Sequence, residues 1–235
     1  MTRTRTRTKL RQGWSCHSSI TASLSLFEKA DFHRGSPTTI GIDDKLAGTG
    51  AARYKPGMVA LQCHPRTPTG AGDSVDITVE RRQRDLVLRA THPLLSKEGA
   101  RGRSWSTSGT RADGLWNHTC IEAFLRLPGE PGYHEINLAP SGDWQIYRFR
   151  EYRELLPLPD IRVPPCIAIE RSHTAFVLEA RLDLVQLDPR YGSEPLQLAL
   201  AAVLEEQDGR LSYWALAHPD GAPDFHHPDA FRIRL

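Results

Sequence analysis

Two glutamates in neighbouring strand-like runs, Glu122 in TCIEAFLR and Glu135 in YHEINLA, are the residues of this chain best suited to chemistry. A carboxylate inside a mostly apolar strand, as Glu122 is between Ile121 and Leu127, sits at an exposed edge or is held by a specific partner, because its desolvation is otherwise uncompensated. Glu135 and Asn137 share a strand face by period two, with Tyr133 beside them, so they can converge on sugar hydroxyls or a cation. The two carboxylates also invite a glycosidase reading, one acting as acid and the other as base or nucleophile. Their spacing fixes no separation between them, so that reading is set aside and no residue is assigned as catalytic.

Aromatic rings are the second resource. Trp116, Trp144 and Trp214 can each stack on a sugar face, covering apolar area while leaving hydroxyls to polar partners, for about 0.5 to 1.5 kcal/mol beyond area burial. A Trp in a strand usually packs in the core, and Trp144 and Trp214 are read that way first. Trp116 follows a long polar stretch and stands near a strand entrance. Histidines are the third. His118, His218 and His226 are candidate contacts, with Asp224 between the last two in AHPDGAPDFHHPDAF, a run of loop character. Neither HExxH nor a paired Cys/His knuckle is present, so no metal site is assigned. Arg148, Arg150 and Arg153 flank Tyr147 and Tyr152 and could clamp an anion, although such a row is more often a solvated face paired with Glu151 and Glu154.

These residues need elements to position them, and the pattern after Val75 supplies strands. VDITVERR and DLVLRA form a hairpin, and in TAFVLEARL the set Phe176, Leu178, Ala180 and Leu182 alternates with Glu179 and Arg181. THPLLSKEGARGRSWSTSGTRAD reads as a long polar loop. LQLALAAVLEE has helical propensity, yet its leucines follow period two and Asp208-Gly209 signals a hairpin, so it is assigned as a strand. About ten antiparallel strands with almost no helix predict an all-β, closed or two-layer architecture.

The chain of 235 residues divides by charge. Residues 1–57 carry 10 Lys/Arg against 4 Asp/Glu, are rich in Ser, Thr and Gly, and are expected to be a disordered extension. A targeting segment and a translated leader upstream of Met58 are both open readings of that stretch. Residues 58–235 carry 20 against 24, and this mildly acidic domain gives no electrostatic reason to expect nucleic acid. No apolar run reaches the roughly 18 residues that span a bilayer and no export signal is legible, so the expected location is the cytoplasm. Cysteines 16, 63, 120 and 166 lack a CxxC pair, and reduced thiols are the default expectation.

LWNHTCIEAFL, then YHEINLAPSGDWQIYRFREYR, then YWALAHPDGAPDFHHPDAF, resembles bacterial proteins with a DOMON-like domain, a superfamily that includes family 9 carbohydrate-binding modules and haem-binding DOMON domains. The resemblance covers residues 58–235. It implies an immunoglobulin-like or jelly-roll β-sandwich that binds a sugar, or alternatively haem, without catalysing a reaction. Sugar-binding members hold the ligand between aromatic rings with carboxylate and amide partners. Haem-binding members use an axial Met, and this chain has only Met1 and Met58, neither expected inside a strand, so only a His-ligated haem would fit. An interaction domain without a small-molecule ligand is the plainer alternative.

Overall fold

In a computed structural model, the structure describes residues 57–67, 74–92, 109–170, 175–206 and 208–235, with the backbone of 41–42, 102–106 and 171. The expected disordered extension lies outside the described residues apart from Gly57 and a two-residue strand, β1 (Gly41–Ile42). The other strands are β2 (Met58–Cys63), β3 (Val75–Arg82), β4 (Asp85–His92), β5 (Gly102–Ser106), β6 (Cys120–Arg126), β7 (Tyr133–Leu138), β8 (Trp144–Phe149), β9 (Cys166–Arg171), β10 (Phe176–Asp183), β11 (Gln197–Glu205), β12 (Leu211–Ala215) and β13 (Ile233–Arg234). Helical structure among the described residues is confined to short 3-10 turns, such as Leu115–Asn117 and Pro228–Ala230. None of it is long and apolar enough to cross a membrane.

Eleven strands follow one antiparallel path, β5-β9-β10-β4-β3-β2-β12-β11-β6-β7-β8, with β13 on β11 and β1 on β13. The seam between the two halves is short, with Trp214↔Cys63 and Ala215↔Gln62 paired in register and the His64 N–H donating to the Tyr213 carbonyl. Across it the sheet curls until its halves share one core: Leu61, Ile77, Leu88 and Leu178 from one side meet Ile121, Leu125, Ile136 and Leu198 from the other. Full burial of each such side chain is worth about 1.5 to 3 kcal/mol relative to leaving it exposed. The all-β, two-layer architecture expected from period two is therefore the architecture observed.

The half formed by β12, β11, β6, β7 and β8 is buried on its second face as well. Phe124, Tyr133, Phe149, Ala199 and Ala201 point away from the main core and are covered by the C-terminal segment through Phe225, Ala230 and Phe231. Every residue of β7, and all of β6 except Arg126, is consequently buried. Small side chains at Ala199 and Ala201 leave the depth that this covering needs.

Several expectations change in detail. Gly102–Ser106, within the stretch read as a loop, is a strand paired with β9 from Gly102↔Arg171 to Ser106↔Ile167. Met58, expected outside the strands, is the first residue of β2. Cys120 carries a free thiol as expected, whereas Cys166 is disulfide-bonded. Gln197–Glu205 is a strand despite its helical composition, because β6 and β12 pair with both its edges and tertiary pairing outweighs intrinsic propensity. Gly209, at φ +81°, takes the left-handed position that its hairpin requires.

Candidate functional site

A cavity of ≈ 460 Å³ lies on the second face of that half, between the sheet and the C-terminal segment. The sheet supplies its floor: Glu122 from β6, Glu135 from β7, Tyr147 and Phe149 from β8, Val203 from β11, and Leu211 and Tyr213 from β12. The walls are Trp116 and Asn117 from a 3-10 turn, Arg153 and Leu155 after β8, and Pro223, Phe225 and His226 from the C-terminal segment.

The two carboxylates converge because of strand register. Glu122 faces Asn137 across the β6–β7 ladder and Glu135 faces Phe124, which makes the glutamates diagonal neighbours on one face. Glu122 is 3% exposed, and its Oε1 has no hydrogen-bond partner. Glu135 Oε1 accepts from Asn137 Nδ2 at 2.8 Å, and its Oε2 lies 3.7 Å from His226 Nε2, beyond hydrogen-bond reach. Burial pushes the Glu122 carboxyl well up from the ordinary carboxylate range, and the neighbouring Glu135 adds to this while Arg153 opposes it. Burial likewise pushes Glu135 up to about 7, against the Asn137 hydrogen bond and Arg153. Both shifts run in the same direction, holding the pair toward its protonated form.

His226 is wedged among Phe124, Tyr133 and Phe149, with ring centroids 5.1, 5.8 and 5.1 Å away. Its Nδ1 meets Tyr133 Oη at 2.8 Å, and that oxygen also accepts from the backbone N–H of Arg153 at 3.0 Å. If the tyrosine gives its one proton to Nδ1, the imidazole N–H is on Nε2, facing Glu135. Burial, helped by the Arg153 charge, lowers the His226 pKa to about 4, so the ring is neutral at physiological pH.

Asp224 anchors the wall from behind. Its carboxylate accepts from Tyr152 Oη at 2.8 Å, from Arg153 Nη2 at 2.9 Å and from the His226 backbone N–H at 3.1 Å. Arg153 itself has φ +56°, an uncommon conformation for a non-glycine residue, and its backbone bond to Tyr133 and side-chain bond to Asp224 hold it there. On the opposite rim, Asp113 Oδ1 accepts from both Gln145 Nε2 and Tyr147 Oη. Gly114, at φ +75°, then starts the 3-10 turn that carries Trp116. The Trp116 ring is 41% exposed and meets Tyr147 edge to face at 5.6 Å.

Of the ten residues singled out from the sequence, Trp116, Glu122, Glu135 and His226 line the cavity. Asn137 and Asp224 lie directly behind it, each bonded to a lining residue. Trp144 and Trp214 do not belong to it. Both are packed in the main core, the reading put first for them, Trp214 donating from Nε1 to Ser212 Oγ at 2.9 Å, so as ligand-contact candidates they are corrected and Trp116 alone of the three lines the cavity, beside tyrosine and phenylalanine rings. His118 is exposed and meets Glu205 at 2.7 Å. His218 bonds the Gln62 carbonyl through Nε2 and stands edge to face with His64, away from the cavity lining. Arg150 pairs with Glu154 as a solvated row would, whereas Arg153 turns into the site. Among the described residues, no group of three or more His, Cys, Asp or Glu side chains is arranged to hold a metal ion.

Tyr147, Phe149, Tyr213 and Phe225 are lining residues that sequence reasoning did not select. Tyr213 could have been flagged, because it is the one polar-tipped ring opposite Trp214 in β12, but nothing marked its face as the open one.

No family model and no curated protein matches the chain. Among solved structures, it is similar to the crystal structure of a "putative carbohydrate-binding protein" from Bacteroides uniformis, with a TM-score of 0.56 and 13% sequence identity over 75% of this chain and 84% of that one. At that identity the likeness is one of fold, and the two chains share the same curled, all-β architecture.

Proposed function

We propose that this chain is a non-catalytic, carbohydrate-binding β-sandwich of the DOMON-like kind, with the sugar seated in the cavity over Glu122 and Glu135. The observation that carries this reading is the buried carboxyl of Glu122, whose Oε1 lacks a partner, in the lining of a hollow of monosaccharide to disaccharide scale. A buried polar atom without a partner is uncommon in native proteins, and a ligand hydroxyl supplies the missing donor. Trp116 at the mouth and Tyr147 in the floor offer aromatic surface, while the carboxyl pair, His226 and Asn117 offer polar contacts. The fold shared with a protein named as carbohydrate-binding agrees with this reading.

Titration calorimetry of the full chain against a panel of mono- and oligosaccharides tests it. Binding in the micromolar to millimolar range, weakened in W116A and E122Q, is the expected result. A panel with no binding at millimolar concentration would remove the reading. Paired carboxylates are also the minimal equipment of a glycoside hydrolase. Turnover of chromogenic glycosides that disappears in both E122Q and E135Q would replace binding by catalysis.

A further inference from the structure

The cavity brings two carboxyl groups together and supplies no uncommitted cation for them. Arg153 is the cationic side chain of its lining, and its guanidinium is taken by Asp224 at 2.9 Å. Around the glutamates stand Tyr133 and Tyr147 from the sheet, neutral His226 from the C-terminal segment, and the buried Cys120 thiol behind Glu122. None of these brings positive charge. Among the described residues, the one hydrogen bond to either carboxylate is the Asn137 amide on Glu135 Oε1, so Glu122 Oε1 and Glu135 Oε2 are left without a donor in the cavity wall. An anionic ligand would add negative charge beside the carboxyl pair and is disfavoured.

Resting on the carbohydrate reading, we infer that the preferred ligand carries an ammonium group, as an amino sugar does, placed between Glu122 and Glu135. An ammonium has three N–H donors, enough to serve both orphaned carboxylate oxygens, and charge-assisted bonds of this kind are the strong ones. Tyr147, Phe149 and Phe225 wall the hollow, and the negative face of such rings attracts a cation that has shed water. A bare metal ion fits less well: the cavity is far larger than an ion, and no group of three candidate metal ligands exists among the described residues. Burial and mutual repulsion hold the free pair toward its protonated form, whereas an ammonium between the two groups favours their ionised form, so binding is coupled to proton release.

Calorimetry of the full chain at neutral pH with glucosamine, glucose, N-acetylglucosamine and cyclohexylamine separates the ideas. Glucosamine binding about tenfold or more tighter than glucose and N-acetylglucosamine, with an observed enthalpy that depends on the buffer's ionisation heat, is the expected result. E122Q should abolish both the preference and the proton release while leaving the far-ultraviolet circular dichroism unchanged. Equal binding of the amino and neutral sugars would overturn the inference and leave the carbohydrate reading standing. Binding of cyclohexylamine without any sugar would uphold the ammonium site and overturn the carbohydrate reading. Absence of binding by all four overturns both.

Discussion

Asn137 Nδ2 donates to Glu135 Oε1 across 2.8 Å, from two residues further along the same strand and on the same face. That amide stabilises the ionised carboxylate, and without it the group would titrate above its value of about 7. Asn137→Leu is therefore expected to raise the Glu135 pKa and to lower stability by about 1 to 3 kcal/mol, because a buried acceptor loses its donor. Carboxyl carbon shifts followed by NMR through a pH titration measure the first effect, and urea unfolding the second. An unmoved pKa would show that the amide does not hold the charge.

Glu135 also makes stability depend on pH in an unusual direction for a carboxylate. Its pKa rises from 4.5 to about 7 on folding, so the native state binds the proton more tightly. The resulting stabilisation is full below pH 4.5, declines as pH rises to about 7 and is then gone, a span of up to about 3 kcal/mol. Comparing the parent with E135Q in urea between these limits should show the parent losing stability relative to the variant as pH rises.

His134 works in the opposite sense. Burial lowers its pKa from 6.5 to about 4, so its contribution is present above pH 6.5 and lost as pH falls through about 4. Unfolding of H134Q relative to the parent should accordingly show a difference that grows, rather than shrinks, as pH rises through this window. A flat difference would mean that His134 is as solvated in the folded chain as in the unfolded one.

The tryptophans should separate stability from binding. Trp214, 1% exposed in the main core, is expected to cost about 3 to 5 kcal/mol when truncated to alanine. Trp116 is exposed at the cavity mouth, so W116A should unfold within about 1 kcal/mol of the parent while losing roughly two- to tenfold in ligand affinity. If W116A proved the more destabilised of the two, the assignment of faces would be wrong.

Asp224 holds Tyr152, Arg153 and the His226 backbone together. Asp224→Ala should release the wall, seen as faster amide exchange at Phe225 to His227, with ligand affinity reduced and the main-core strands as protected as before. Protection unchanged at the His226 amide would contradict the anchoring role.

The strands of the first half, and β10 above all, were legible because one face is core and the other is wet, so Leu178 and Glu179 alternate as water dictates. β6 and β7 hide that signal, since both faces are covered and apolar residues occur on each. Glu122 and Glu135 could still be found, because a carboxylate among buried residues violates the pattern, but Tyr147 and Phe149 merge into it. Trp144 and Trp214 show the converse: ring chemistry suited to a ligand does not say which way a strand turns. β5 was missed because GRSWS has no alternation of its own and owes its extended form to pairing with β9. Nothing in the local sequence announced the left-handed backbone of Arg153 that places its side chain in the wall.

The parity of each strand has one last consequence. Residues that fold this half point inward, while those that form the hollow, Glu122, Glu135, Tyr147 and Tyr213, point the other way. Substitutions on the outward set can thus retune specificity while leaving the main core between the two halves untouched, so a scaffold of this design can acquire new guests at a cost confined to its second, smaller cluster.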